Sequence, residues 1–228
     1  MTAGPERIER FDELVRRART LAGGRRRGLL GVAGAPGAGK TTLAHALVRA
    51  LAAAPPAGLA ADWVAHVPMD GFHLADVELD RLGRRDRKGA PDTFDASGYA
   101  EFLRRLRHTP GAGDPPVYAP AFDREIEQPV AGSVPVHPAC RLVVSEGNYL
   151  LVDAPRWRAV RAEFDEVWFH ETDEALRLER LVARHVRFGK NPERARAWVE
   201  ATDEPNARLV AAGRARADLV VACADFPA

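Results

Sequence analysis

The sequence predicts an α/β fold of three layers, with a mostly parallel central sheet, helices on both faces and a helical lid. Three observations carry that expectation. Short apolar runs at residues 29–33, 63–69, 141–145, 166–170 and 217–221 alternate with helical periodicity, the pattern of a parallel sheet covered on both sides. The first run leads directly into Gly34-Ala35-Pro36-Gly37-Ala38-Gly39-Lys40-Thr41, which fits the phosphate-binding pattern G-x-x-x-x-G-K-[ST] at every fixed position. Beyond it Leu43, Ala44, Leu47, Val48 and Leu51 recur at helical spacing until Pro55-Pro56 stop the run.

Strand, glycine-rich loop and helix in that order make a P-loop, so the expected fold is the three-layer fold of the P-loop NTPases. Glycines let several backbone N–H groups point at one phosphate, and the following helix presents its N-terminus to the same anion. Lys40 adds a mobile positive charge, and Thr41 offers its hydroxyl to Mg²⁺. Together with Ala35, Pro36, Ala38 and Thr42, these residues form the expected nucleotide-phosphate-binding set.

A chain of 228 residues can bury a good core and is expected to form one domain. Its 33 Lys and Arg balance 32 Asp and Glu, giving a net charge of +1 and no whole-chain case for nucleic acid or an anionic membrane. The expected partner is a small molecule. Cys140 and Cys223 lie far apart with no C-x-x-C pair or Cys/His cluster, which suggests neither a disulfide framework nor a zinc site. The N-terminus opens with charge, and no apolar run reaches membrane-spanning length, so a soluble cytoplasmic protein is expected.

In chain order, Ile8, Phe11, Leu14, Val15, Ala18 and Leu21 form an apolar stripe, predicting an amphipathic helix over residues 6–22 that ends at Gly23-Gly24 and packs against the sheet edge. Arg25-Arg26-Arg27 read as a solvated strand entrance. The run at 63–69 ends in Asp70-Gly71-Phe72-His73, and ligands gather at the carboxyl ends of strands in such sheets, so Asp70 is placed for chemistry. Gly71 beside it suggests a close backbone approach. Residues 82–95 are too polar and broken for a core element. A short helix follows at Tyr99, Phe102, Leu103 and Leu106, terminated by Pro110 and Gly111. The Pro- and Gly-rich stretch to residue 138 excludes a central strand, although Val130 and Val134-Pro135-Val136 fit a small edge hairpin around Ala131-Gly132-Ser133. Residues 82–138 thus form an insertion at the sheet rim.

Glu146-Gly147-Asn148 follows the run at 141–145, the position where P-loop enzymes hold Mg²⁺ through an acid. Spacing leaves open whether Glu146 or Asp70 serves the metal, since each follows a buried strand with glycine beside it. Asp173 is an N-cap for a helix carrying Leu176, Leu178, Leu181, Val182 and Val186. Arg180 and Arg184 share one face of it, a spacing that suits either one polyphosphate or ion pairs with Glu174 and Glu179. Gly189-Lys190-Asn191-Pro192 breaks this helix and starts the next, so residues 174–200 could hinge as a lid.

The P-loop, Met69-Asp70-Gly71-Phe72, Arg87-Lys88-Gly89-Ala90-Pro91-Asp92-Thr93-Phe94-Asp95, Glu146-Gly147-Asn148, the Arg180/Arg184 helix and Arg214-Ala215-Arg216-Ala217-Asp218-Leu219 occur in one order over nearly the whole chain. That order resembles the P-loop kinases that include uridine kinase, phosphoribulokinase and bacterial pantothenate kinase. The resemblance implies ATP-dependent phosphorylation of a hydroxyl, with Asp70 as catalytic base, Glu146 serving the metal or its water, and Lys40 bridging the β- and γ-phosphates. It implies Arg180 and Arg184 as lid arginines, and His73, Lys88, Asp92, Asp95, Tyr118 and Arg124 along the acceptor pocket. Tyr118-Ala119-Pro120 departs from the Tyr-Ser-His of the pantothenate kinases, while Asp123-Arg124 is reminiscent of the Tyr-Asp segment of uridine kinases. The acceptor is therefore a nucleoside, a pantothenate-like molecule or a sugar, and a homodimer is left open.

A P-loop ATPase or switch driving a partner protein is the competing reading. It calls for a water-orienting group and no second strand-end carboxylate, whereas this chain offers Asp70. A nucleic-acid-acting NTPase is disfavoured by the balanced charge.

Overall fold

The computed structural model describes residues 4–24, 26–108, 113–223 and 226. Its central sheet is built from β1 (Glu6–Ile8), β2 (Gly28–Ala33), β3 (Val64–Pro68), β6 (Leu142–Gly147), β7 (Glu166–His170) and β8 (Leu219–Val221), while β4 (Val117–Asp123) and β5 (Gln128–Val136) pair separately. The sheet order is β1-β8-β7-β2-β6-β3, and every pairing in it is parallel. β2, at the centre, lies between β6 and β7, where the order of connection reverses.

Strands buried on both faces explain the continuous apolar runs, because successive side chains enter opposite cores. Leu30 and Val32 of β2 and Leu142 and Val144 of β6 pack with Leu14 and Ala18 of α1 (Phe11–Leu21) and Leu43, Leu47 and Leu51 of α2 (Lys40–Ala53). Leu29 and Val143 face the other way, onto Tyr99 and Leu103 of α4 (Ala96–Arg107) and Trp157 and Val160 of α5 (Pro155–Ala162). These two cores on one sheet are the expected three layers.

Four local readings change. The N-terminal helix begins at Phe11, and Glu6-Arg7-Ile8 pair instead with Leu219-Val220-Val221 as an edge strand. Ile8 fitted the helical stripe because its side chain enters the same core as Leu14, which periodicity alone cannot tell from helical burial. Of the three arginines, Arg26 is exposed, but Arg27 is fully buried and donates to the carbonyls of Cys140, Leu106 and His137. Arg25, like the helix stop at Pro110 and Gly111, lies outside the described residues. The hairpin is longer than expected. It turns at residues 124–127, since Asp123 pairs with Gln128, and not at Ala131-Gly132-Ser133. Its register shifts between Ala119 and Ala121, around Pro120, which has no N–H to donate. Finally, α3 (Asp76–Arg81) and two 3₁₀ turns, Arg85–Arg87 and Pro91–Thr93, give shape to the stretch read as broken loop.

β4 is held against the 3₁₀ turn Met69–Phe72 that follows β3. A Cβ placed on Gly71 would lie 2.2 Å from the Pro120 carbonyl oxygen, so only glycine lets the two backbones meet. Gly71→Ala is expected to destabilise the fold by about 1–3 kcal/mol, the range for forced overpacking. Calorimetric unfolding checks this, and an unchanged melting temperature would mean that β4 does not approach so closely. Among the described residues, no helix is long and apolar enough to cross a membrane.

Candidate active site

The P-loop leaves β2 at its carboxyl end. Gly37 has φ 81°, and a Cβ there would sit 2.7 Å from Leu181 Cγ and 2.8 Å from the Arg177 carbonyl, so the loop is pressed against α6 (Glu174–Arg187). Thr172 fixes the loop by donating to the Ala38 carbonyl at 2.6 Å, and buried Arg177 donates to that of Pro36 at 3.3 Å. Gly39, in the left-handed conformation, precedes Lys40, the first residue of α2. Lys40 is buried and donates to the Ala35 carbonyl at 2.9 Å, which folds it over the cradle. Desolvation lowers its pKa to about 8, while the charge of Glu146 acts in the opposite direction.

Two carboxylates stand beyond the loop in different surroundings. Glu146, at the carboxyl end of β6, is 6% exposed and hydrogen-bonded by Thr41. Burial, reinforced by the charge of Asp70, raises its pKa to about 7 against the pull of Lys40. Asp70, one strand over and more open, accepts a 3.0 Å hydrogen bond from Arg124 on the hairpin turn. Both line one cleft of about 360 Å³ together with Gly37, Lys40 and Thr41.

The cleft gathers some of the sequence-predicted acceptor residues and omits others. His73, Lys88 and Arg124 line it. His73 bonds the Asp70 carbonyl through Nδ1 at 2.7 Å and packs at a tilt against Phe94 and Phe122, ring centroids 3.9 and 4.6 Å away, and its pKa is lowered by burial. Lys88 is tied to Asp76 at 2.6 Å. Asp92, Asp95 and Tyr118 lie outside. Asp92 pairs with Arg84 and Arg87 at the surface, Asp95 caps α4 by accepting from the Gly98 N–H, and Tyr118 points outward from β4 at 56% exposure.

Asp173 caps α6 through the Leu176 N–H, as expected. Its two arginines do not enter one pocket: Arg184 lines the acid-bearing cleft, and Arg180 lies on the other side of the loop, near Gly39. There a second hollow, about 730 Å³, is lined by Thr42, His170, Thr172, Arg180, Ala222 and Phe226 among others. The two arginines therefore straddle the P-loop. Sequence reasoning missed the far wall of the first cleft, where Trp198 of α7 (Pro192–Trp198), the π-helical turn Val199–Asp203 and Asn206 of α8 (Glu204–Ala211) face the acids.

A model described as the phosphoribulokinase / uridine kinase family matches residues 29–223. A Schizosaccharomyces pombe protein named "Putative uridine kinase C227.14" is 33% identical over 186 residues, 80% of this chain and 76% of that one. A solved structure described as a "putative fructose transport system kinase" from Silicibacter sp. TM1040 superposes with TM-score 0.81 at 38% identity, covering 93% of this chain and 99% of the other. YFH7 from Saccharomyces cerevisiae shares the fold, with TM-score 0.80 at 18% identity over 95% of this chain and 99% of its own.

Proposed function

The chain belongs to the phosphoribulokinase and uridine kinase family, a family of P-loop kinases, and on that premise we propose that it transfers the γ-phosphoryl group of ATP to a hydroxyl of a small metabolite. The observation that carries this reading is the division of labour between two acids at neighbouring strand ends: Glu146 is buried against Thr41 and Lys40, while Asp70 stands open on the hairpin side with Arg124. A P-loop ATPase or switch, the second reading, has no use for an acid so placed.

The donor half fits the P-loop. Backbone N–H groups of residues 37–42, which run into the start of α2, take the phosphates, Lys40 swings from the Ala35 carbonyl onto them, and Arg180 and Arg184 bring charge from either side. The hollow beside Thr42 and His170 is the space available to the nucleoside end of ATP. Thr41 and Glu146 are the residues that would hold Mg²⁺, a small protein share that suits an ion mostly coordinated by phosphates and water. Mg²⁺ supplies neutralisation of charge on the phosphate oxygens.

On the acceptor side, Asp70 takes the proton of the attacking hydroxyl as its oxygen bonds to the γ-phosphorus and the bond to the leaving ADP breaks. Arg124 orients that carboxylate. Lys40 and Arg184 surround the transferred group with fixed positive charge, the main source of acceleration in phosphoryl transfer. The lid (residues 174–200) excludes water when it closes. The names of the relatives put nucleosides and fructose first among acceptors. ADP release measured over nucleosides, pantothenate, ketoses and ribulose 5-phosphate is expected to rise with at least one of them. No rise above background hydrolysis with any would favour the ATPase reading.

A further inference from the structure

The lid side of the cleft carries a carboxylate that the donor site does not use. Asp203 ends the π-helical turn, is only 8% exposed, and lines the cleft with Thr202 and Asn206. It precedes α8 but makes no side-chain capping bond. Among the described residues its one hydrogen-bond partner is His185, Nε2 to Oδ2 at 2.8 Å. Lys190 Nζ lies 3.4 Å from His185 Nδ1 and over the Trp198 ring at 4.9 Å. Nε2 of His185, the ring nitrogen that faces Asp203, donates to that carboxylate.

Asp203 is thus a nearly buried carboxylate that lines the cleft and in which, among the described residues, only Oδ2 has a hydrogen-bond partner. A group in that state is stabilised by further donors from whatever enters. The cleft also connects it to the chemistry, since Asp70, Arg184 and Asp203 all line it. Phe94, His73 and Phe122 line the same cleft, an aromatic surface suited to the C–H face of a ring.

We propose that Asp203, held in place by His185, binds the acceptor by taking hydrogen bonds from hydroxyls other than the one that is phosphorylated. The ligand class is a ring or chain with several hydroxyls, of which one faces Asp70 and another faces Asp203. This rests on the kinase reading above, because Asp70 fixes where the reacting hydroxyl sits.

The test compares full-length parent protein with Asp203→Asn and His185→Gln on two pairs of probes, uridine with 2′-deoxyuridine and D-fructose with 3-deoxy-D-fructose, at saturating MgATP. Asp203→Asn is expected to raise the KM of the hydroxylated probe about 10- to 100-fold, the worth of a hydrogen bond to a charged group, with the KM for ATP unchanged. The deoxy probe, which already lacks that bond, is expected to lose little on the same substitution. His185→Gln, which keeps a donor of similar reach, is expected to show a smaller rise with the same discrimination. Equal losses on hydroxylated and deoxy probes, or a change confined to the melting temperature or to ATP, would make Asp203 a structural latch and overturn the proposal. If the parent protein phosphorylates none of the four probes or the wider acceptor panel, the kinase reading itself falls, a result distinct from an Asp203 variant that acts like its parent.

Discussion

Asp70→Asn is expected to slow phosphoryl transfer by about 10²–10⁴-fold, the range lost with a general base, while ATP binds as before. Asparagine keeps the shape of the side chain and an oxygen for Arg124 at 3.0 Å, so the hairpin stays docked. What it loses is the ability to take a proton. Asp70 shares its cleft with Lys40 and Thr41, yet it is Glu146 that Thr41 bonds and that burial surrounds. Rapid-quench single turnovers measure the transfer step, and calorimetric titration with a non-hydrolysable ATP analogue measures binding. A variant that loses nucleotide affinity, and regains transfer at high Mg²⁺, would move Asp70 to the metal and leave the base to be found elsewhere.

How far the sequence reaches depends on whether a feature is local. The P-loop was legible because phosphate binding by successive backbone N–H groups needs contiguous residues. Asp70 and Glu146 were legible for a different reason: each follows a buried run, and parallel strands bring their carboxyl ends to one rim, here β3 beside β6 beside β2. Asp92, Asp95 and Tyr118 sit in irregular or alternating backbone, where one residue of offset decides between cleft and solvent. On β4, Val117 and Ala119 are buried and Tyr118 between them is not. Asp95 carried a readable signal, since an Asp before Ala96-Ser97-Gly98 and a helical stripe is also a capping pattern. His185 and Asp203 are 18 residues apart and meet only because α6, α7 and the π-helical turn fold back on one another. No periodicity encodes that meeting. The order of the sheet is equally silent in the sequence, for the same reason.

Glu146→Gln is expected to do two opposed things: make the empty protein more stable at neutral pH and disable it. A carboxyl whose pKa is raised from its usual 4.5 to about 7 adds to stability at acid pH, where it is protonated in folded and unfolded chains alike, and loses that contribution as pH rises through about 7. Glutamine imitates the protonated form at every pH. The variant should therefore match its parent near pH 4.5 and exceed it by about 1–3 kcal/mol above pH 7, or about 2–4 °C in melting temperature per kcal/mol for a chain of this length. Transfer is expected to fall about 10²–10³-fold, as for loss of one preorganised charge in a polyphosphate site. In the parent, Mg²⁺-dependent nucleotide affinity should drop about tenfold per pH unit below pH 7, because the carboxyl must give up its proton first, and the variant should lack that limb. Lys40 sets the other boundary, since burial holds it near 8 and it must be charged to meet phosphate, so binding weakens again as pH rises past that value. Unfolding scans and calorimetric titrations between pH 4.5 and 9 test both statements, at conditions spanning roughly two units either side of the raised value. Parallel melting curves for parent and variant would mean that desolvation does not govern Glu146. The buried charge in the empty site would then be no liability, and the tension between stability and function at this strand end would disappear.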